Sequence, residues 1–142
     1  MEVIVSHLSW LVGKRFVRVV RRDFDWQFQL GDDTIMVVEC LWRLLCTNRI
    51  RLASRDDGQQ FGSPAKLLAT DELNSKLAQA SICRVELRDG TLDLRLTFDN
   101  ARVLEILPDS AGYEAWNITS PEGSWIAVGG GELAVFPMRT ET

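Results

Sequence analysis

The sequence predicts a β-rich α+β fold in which a short helix followed by three to four antiparallel strands occurs twice. Three observations support this prediction: segments that alternate apolar and polar side chains with period two, turn residues between those segments, and a similarity between the two halves of the chain. We expect the halves to be related by a pseudo-twofold axis. Their sheets are then either curved against each other or closed into a barrel-like form.

The internal similarity is clearest between two segments that begin at Arg18 and Arg84. They read RVVRRD and RVELRD, and both end in Arg-Asp at a predicted turn. Further matches lie at about the same offset: residues 10–16 with 76–82, 26–33 with 94–100, 34–39 with 102–107, and 49–58 with 115–123. We therefore expect one duplicated domain over residues 1–142. Its first repeat spans 6–58, a linker spans 59–69, and a second repeat spans 70–136.

Each predicted repeat begins with a short helix. The first is HLSWLVG, and the second is DELNSKLAQA, which follows Thr70 as a plausible N-cap. Asp71 and Glu72 lie in the predicted first turn of the second helix, where negative charge interacts favourably with the helix dipole.

The segment YEAWNITSPEG contains many of the side chains typical of binding sites, yet its pattern predicts a strand and a turn. Trp116 and Ile118 alternate with Asn117 and Thr119, so the first pair is expected to face the core and the second pair the solvent. Pro121 in SPEG favours the second position of a tight turn.

The triple glycine in SWIAVGGGELAVF also predicts a turn, between two strands of a hairpin. Glycine can supply positive φ without steric cost. A phosphate-binding loop would need a following Gly-Lys-Ser/Thr and a helix, whereas here Glu132 leads into a strand.

Composition and cysteine use indicate a soluble, cytoplasmic protein without metal or cofactor. The 142 residues are 46% hydrophobic and 25% charged, as in one globular domain. The three cysteines lack CxxC spacing, which argues against a disulfide framework and a zinc site. The N-terminus does not resemble a signal peptide, no apolar run is long enough for a membrane span, and disorder is expected only over residues 138–142.

The net charge of −4 is unevenly distributed. Residues 1–55 contain nine Lys/Arg and six acids, or +3, and residues 56–142 contain seven Lys/Arg and fourteen acids, or −7. These halves can attract each other within one chain or between the chains of a homodimer. The basic segment KRFVRVVRR suggests nucleic-acid binding, but the acidic sequence pI of about 5.0 makes this the weaker interpretation.

No catalytic residue is assigned, because His7 is the single histidine and no nucleophile or metalloprotease motif occurs. Glu39 and Glu105 occupy equivalent positions in the two repeats and could form a carboxylate pair near the pseudo-axis. The favoured alternative is that both are strand-end residues facing water.

The five tryptophans divide into two predicted groups. Trp26 and Trp116 lie on alternating strands and are expected in the core, whereas Trp42 and Trp125 are expected to be partly exposed. An exposed Trp42 beside Arg43 could anchor a partner or stack on a ring.

The chain resembles a family of small bacterial domains of unknown function. The resemblance lies in WLVGKRF, FGSPA and LPDSAGYEAWNITSPEG, followed by GGGELAVF. It implies a bacterial, cytoplasmic protein and gives no catalytic residue. If this signature is functional, Tyr113, Glu114 and Trp116 are the expected binding residues.

Two classes of function follow. The favoured one is a non-catalytic module, such as an accessory or immunity-type factor, that binds a protein partner or a second copy of itself through an acidic surface. The alternative is a small-molecule binding domain or minor hydrolase with a pocket between the two repeats. A concave pocket that holds Glu39, Glu105 or Tyr113 would favour the second class, and a flat acidic face with an exposed Trp42 the first.

Overall fold

The computed structural model of the protein describes residues 7–137, which form two antiparallel β-sheets and one α-helix. The elements in chain order are β1 (Phe16–Arg21), β2 (Trp26–Leu30), β3 (Thr34–Val38), β4 (Leu41–Cys46), β5 (Arg49–Ala53), α1 (Ala69–Lys76), β6 (Ile82–Leu87), β7 (Leu94–Phe98), β8 (Val103–Leu107), β9 (Trp116–Ser120), β10 (Gly123–Val128) and β11 (Glu132–Pro137). The expectations for the first six residues and for 138–142 lie outside the described residues.

The strands form two open sheets, which confirms the β-rich α+β prediction. The first sheet has the order β1-β2-β3-β9-β10-β11, and the second has the order β5-β4-β8-β7-β6. The chain changes sheet at residues 39–40, here called the first crossover, and again at residues 108–115, the second crossover. Neither sheet closes on itself within residues 7–137, so the barrel-like alternative is not found there.

The inner faces of the two sheets share one apolar core. Alternate residues of β2 and β7 are buried, as period-two patterning requires. Phe16 contacts Phe98 of the other sheet with ring centroids 6.4 Å apart. Trp116 and Ile118 are fully buried, as predicted. Each such side chain contributes about 1.5–3 kcal/mol through its removal from water.

The prediction that Trp42 and Trp125 are partly exposed is wrong. Trp42 is 1% exposed and packs edge-on against Trp26, with ring centroids 5.1 Å apart, while Trp125 is 7% exposed and packs against Trp10. The reason is that CLWRLLC contains a strand, β4, which directs Trp42 into the core. The apolar residues of this segment are nearly continuous, so the alternation of buried and exposed positions cannot be recognised from its sequence.

Both predicted helices differ from expectation, and the second one, α1, ends at Lys76 instead of continuing to residue 80. HLSWLVG forms only a 3-10 turn over Ser9–Leu11, because Gly13 takes a φ of +94° and its N–H donates to the carbonyl of Ile82. Thr70 is not an N-cap, since α1 begins one residue earlier. The Ala69 N–H instead donates to the carboxylate of Asp57, 3.0 Å away, so the cap comes from the preceding loop.

Helix α1 is held against the edge of the first sheet by one amide side chain. Asn74 accepts a hydrogen bond from the Val19 N–H at 2.7 Å and donates one to the Val19 carbonyl at 3.1 Å. At the C-terminal end of the helix, the Lys76 carbonyl accepts hydrogen bonds from Arg102 and Asn100. The predicted acids Asp71 and Glu72 do lie in the first turn of α1.

The two C-terminal turns are confirmed, and one sequence match is not. Pro121 and Glu122 alone separate β9 from β10, and the triple glycine separates β10 from β11. The predicted match of residues 49–58 with 115–123 is wrong, because the two matched strands occupy different positions in their sheets. β5 is an edge strand, whereas β9 is internal. Since β9 lies beside β3 as β4 lies beside β8, β9 corresponds to β4 and not to β5.

Candidate functional site

The candidate site lies where the two crossovers meet. The Glu39 N–H donates to the Ala115 carbonyl at 2.8 Å, which brings the two connections side by side. A cavity of about 450 Å³ opens between them and is lined by Glu39, Cys40, Asp109, Ser110, Tyr113, Glu114 and Ala115. All of its lining residues therefore come from the crossovers, one in each half of the chain.

Local hydrogen bonds shape the second crossover. The Ser110 hydroxyl accepts from the N–H groups of Gly112 at 3.1 Å and Tyr113 at 3.0 Å, which folds the segment into a compact turn. This turn leaves Tyr113 82% exposed at the mouth of the cavity. Glu114, the next residue, accepts a hydrogen bond from the Asn117 side chain.

The triple glycine supports the second crossover by close packing. A side chain at Gly129 would overlap the backbone of Ala111 and Gly112, and one at Gly131 would overlap the carbonyl oxygen of Gly90. Gly130 and Gly131 also have positive φ values of 80° and 81°. Gly129 thus does more than form part of the predicted turn, since its lack of a side chain lets the β10–β11 connection approach the second crossover.

Carboxylates dominate the charge of the cavity. Glu39, Asp109 and Glu114 line it, and none of its lining residues is Lys or Arg. The pKa of Glu39 is raised above its ordinary value, first by partial burial and then by the nearby carboxylates of Glu114 and Asp25. The site therefore holds negative charge that its own residues do not neutralise.

Cys40 forms part of the cavity wall and is held as a neutral thiol. Burial, followed by the nearby Asp109 carboxylate, raises the pKa of Cys40 to about 12. At neutral pH the thiolate fraction is negligible, so Cys40 is a poor nucleophile and a poor metal ligand.

A second cavity of about 240 Å³ lies on the other side of the first crossover. It shares Glu39, Cys40 and Asp109 with the larger cavity and is otherwise lined by Arg21, Phe24, Trp26, Leu41, Ser54 and Arg55. The Arg21 guanidinium lies 4.5 Å from the centre of the Trp26 ring, and Phe24 is 87% exposed. We call the two cavities together the crossover groove.

The structure brings three of the seven sequence candidates together. Glu39, Tyr113 and Glu114 all line the larger cavity. Trp116 and Trp42 do not reach it, because both are core residues, and the Trp116 indole N–H donates to the Leu92 carbonyl at 3.1 Å.

Arg43 and Glu105 lie elsewhere, opposite each other on strands β4 and β8. The Arg43 Nε is 2.7 Å from a carboxylate oxygen of Glu105, whose other oxygen is 4.0 Å from Arg95. The suggested Glu39–Glu105 pair is therefore not formed: Glu105 interacts with arginines, and the carboxylate beside Glu39 is Glu114. Nor is Glu105 a water-facing strand-end residue, since it occupies the centre of β8 and its side chain is 16% exposed.

Sequence reasoning missed Asp109, Ser110, Cys40 and Phe24. The segment LPDSAG carried a usable signal, because proline, aspartate, serine and glycine together indicate a loop, and loops carry binding residues. Within residues 7–137 no group of three His, Cys, Asp or Glu side chains is arranged to hold a metal ion. None of the described helices combines the length and apolar character needed to span a membrane.

The chain belongs to a family of unknown function (DUF6188), whose profile matches residues 7–137. The match covers every described strand and both crossovers. Neither the curated proteins nor the solved structures include a match to this chain.

Proposed function

We propose that this protein is a non-catalytic binding module whose crossover groove holds lysine or arginine side chains of a protein partner. The observation that carries the proposal is the larger cavity, which three carboxylates line without a Lys or Arg among its lining residues. A concave, uncompensated cluster of carboxylates attracts a cationic ligand, because the ligand supplies the charge that the site lacks.

The shape of the groove favours an extended ligand over a single small ion. It continues past Cys40 into the smaller cavity, where the wall includes Arg21 and Arg55. Phe24 and Tyr113 offer exposed aromatic rings along it, and such rings bind both apolar and cationic side chains. A peptide would fit the groove if its basic residues entered the larger, acidic cavity and an apolar or acidic residue entered the smaller cavity beside Phe24 and the arginines.

The groove offers little support for nucleophilic catalysis. Cys40 is protonated at neutral pH, and His7 lines neither cavity. Ser110 uses its hydroxyl oxygen to accept two backbone N–H groups, and neither His7 nor a thiolate is available beside it to act as its base.

A small-molecule site with hydrolytic activity is the second candidate. The volume of about 450 Å³ lies within the range of ligand pockets. Glu39, whose pKa is raised by partial burial and by the nearby Glu114 carboxylate, stands beside Glu114, and a pair of carboxyl groups can supply a general acid and a general base. Turnover of a substrate that is lost in Glu39→Gln would favour this candidate over the binding module.

We also infer that the two halves arose by internal duplication, with the groove at their junction. Residues 15 and 81 form an isolated antiparallel bridge, and β1 and β6 begin at residues 16 and 82, the same 66-residue offset as the RVVRRD and RVELRD segments. Each of these strands has a register shift after its first residue. In each half a three-stranded meander is followed by a crossover to the other sheet.

We propose that the protein resides in a reducing compartment, the cytoplasm. Cys40, Cys46 and Cys83 are all free thiols, which a reducing compartment preserves. A fractionation of the source cells with an antibody to this protein tests the assignment, and recovery of the protein outside the cytoplasmic fraction would contradict it.

A phage-displayed peptide library, selected on the purified protein, tests the proposed function. We expect selected peptides to be rich in Arg and Lys, and to bind Glu39→Gln/Glu114→Gln about tenfold more weakly in calorimetric titrations. The matched control is Asp32→Asn/Asp89→Asn, which removes the same charge from two exposed turns outside the groove. Selected peptides without basic residues, or equal weakening by both double variants, would contradict the proposal.

A further inference from the structure

Three of the four sheet edges are covered or charged. On β1, both backbone groups of Val19 bond to Asn74 of α1. On β6, the N–H of Ile82 donates to the Lys14 carbonyl at 2.9 Å. On β5, Arg49 and Arg51 are exposed. Covering elements and edge charges are the usual protections against pairing with another strand.

Along the fourth edge, β11, no residue within 7–137 covers the strand, and its charge is limited to Glu132 at one end. All six of its residues are in register with β10 on one side, and on the other side no described residue donates or accepts a backbone hydrogen bond. In antiparallel sheets, alternate residues of an edge strand direct their N–H and C=O groups outward. The strand reads ELAVFP, with Glu132 as its single charge and with Val135 and Phe136 exposed to 40% and 57%.

We propose that β11 pairs antiparallel with β11 of a second copy of this chain, joining two six-stranded sheets into one. Pairing between identical antiparallel strands is self-complementary about a twofold axis, so one surface serves both partners. It satisfies the outward backbone groups and brings the apolar residues Leu133 to Phe136 of the two copies together.

Local charge is compatible with a second copy at this edge. Because outward backbone groups alternate along β11, the twofold axis must pass through a residue that pairs with itself, and Val135 is such a residue. The two Glu132 carboxylates are then separated by about 20 Å along the strands, at about 3.4 Å per residue, so like charges do not face each other.

Sedimentation equilibrium of the full chain tests the proposal, with Phe136→Lys as the disrupting variant. We expect a dimer for the wild type and a dissociation constant raised about tenfold or more for Phe136→Lys, since an edge lysine opposes strand pairing. Phe61→Lys is the matched control, because Phe61 is 72% exposed in the loop before α1, and it should leave the dimer unchanged. Circular dichroism establishes that both variants fold.

Hydrogen exchange of the β11 amides locates the contact. We expect slow exchange at high protein concentration and faster exchange on dilution or in Phe136→Lys. Three results would overturn the proposal: a monomer at about 100 μM, well above the micromolar range of specific dimers, a dimer that Phe136→Lys does not weaken, or β11 amides that stay protected in a monomer. The last result would mean that another part of the same chain occupies the edge. None of these results affects the groove, which lies at the crossovers.

Discussion

Glu39 is the residue on which the charge of the groove depends most directly. It lines both cavities and interacts with Glu114 and Asp25. Because its pKa is raised, Glu39 gains a proton at a higher pH than an ordinary carboxyl group. A cationic ligand would favour the ionised form, so binding of ligand and binding of proton oppose each other.

We predict that the affinity for a basic peptide decreases as the pH falls from neutral toward the raised pKa of Glu39. In Glu39→Gln this pH dependence should be reduced, and affinity at neutral pH should be about two- to fivefold lower, as for an exposed ion pair. Calorimetric titrations at several pH values measure both quantities. An affinity that rises on acidification, or an unchanged pH profile in Glu39→Gln, would contradict the proposal that the ionised Glu39 carboxylate binds the basic peptide.

The raised pKa of Glu39 also has a consequence for folding stability. Its carboxylate is less favourable in the folded chain than in the unfolded chain, so it lowers stability above the raised folded-state pKa and has no effect below the ordinary value of 4.5. Glu39→Gln should therefore raise Tm slightly at neutral pH and leave it unchanged at acidic pH, as differential scanning calorimetry can determine. A lower Tm at neutral pH would contradict the conclusion that the ionised Glu39 carboxylate destabilises the folded chain.

Gly131 shows how one residue packs the β10–β11 turn against the loop between β6 and β7. Its φ of +81° disfavours any side chain, and an added Cβ would overlap the carbonyl of Gly90. We predict that Gly131→Ala lowers the free energy of unfolding by about 2–4 kcal/mol. Gly112→Ala is the control, because a Cβ there meets no atom within 4 Å. Urea denaturation compares the two, and equal losses of stability would refute the packing argument.

Among elements, α1 depends on Asn74 for its position. The amide replaces a neighbouring strand at Val19, satisfying both backbone groups there. We predict that Asn74→Ala costs about 1–3 kcal/mol of stability, because it leaves these groups without partners. Asn74→Asp, which keeps the acceptor but turns a carboxylate oxygen toward the Val19 carbonyl, should also destabilise the fold. Ser75→Ala, at an exposed neighbouring position, serves as control in the same thermal unfolding experiment, and a cost as large as that of Asn74→Ala would contradict the role of the amide.

The strands with clear alternation were predictable, whereas β4 was not. In β2 and β9, polar residues separate the buried ones, so Trp26 and Trp116 could be assigned to the core from sequence. In β4, apolar residues occur on both faces and a register shift lies between Leu44 and Leu45. The burial of Trp42 depends on the partner strands β5 and β8, which local patterning does not reveal.

At the scale of the whole molecule, the groove exists because both halves exchange strands between sheets. Tyr113 and Glu114 were predictable as candidates from their segment, and Glu39 from its charge. These residues lie close together because the chain passes from β8 in the second sheet to β9 in the first sheet, where β9 pairs with β3. This pairing joins residues far apart in the sequence, so local patterns do not predict it. Glu39 was matched with Glu105 as the equivalent residue of the other repeat, but Glu39 follows the last residue of β3 whereas Glu105 is the central residue of β8. The eight-residue second crossover instead brings Asp109 to the cavity that Glu39 lines.

The most direct test of the groove is a backbone amide chemical-shift titration of the protein with an Arg- and Lys-rich peptide. We predict that the largest shifts occur at residues 39–40 and 109–115, on both crossovers, and that Glu39→Gln/Glu114→Gln reduces them while Asp32→Asn/Asp89→Asn does not. Shifts centred on Arg43 and Glu105 or on β11, or no shifts at millimolar peptide, would contradict the account.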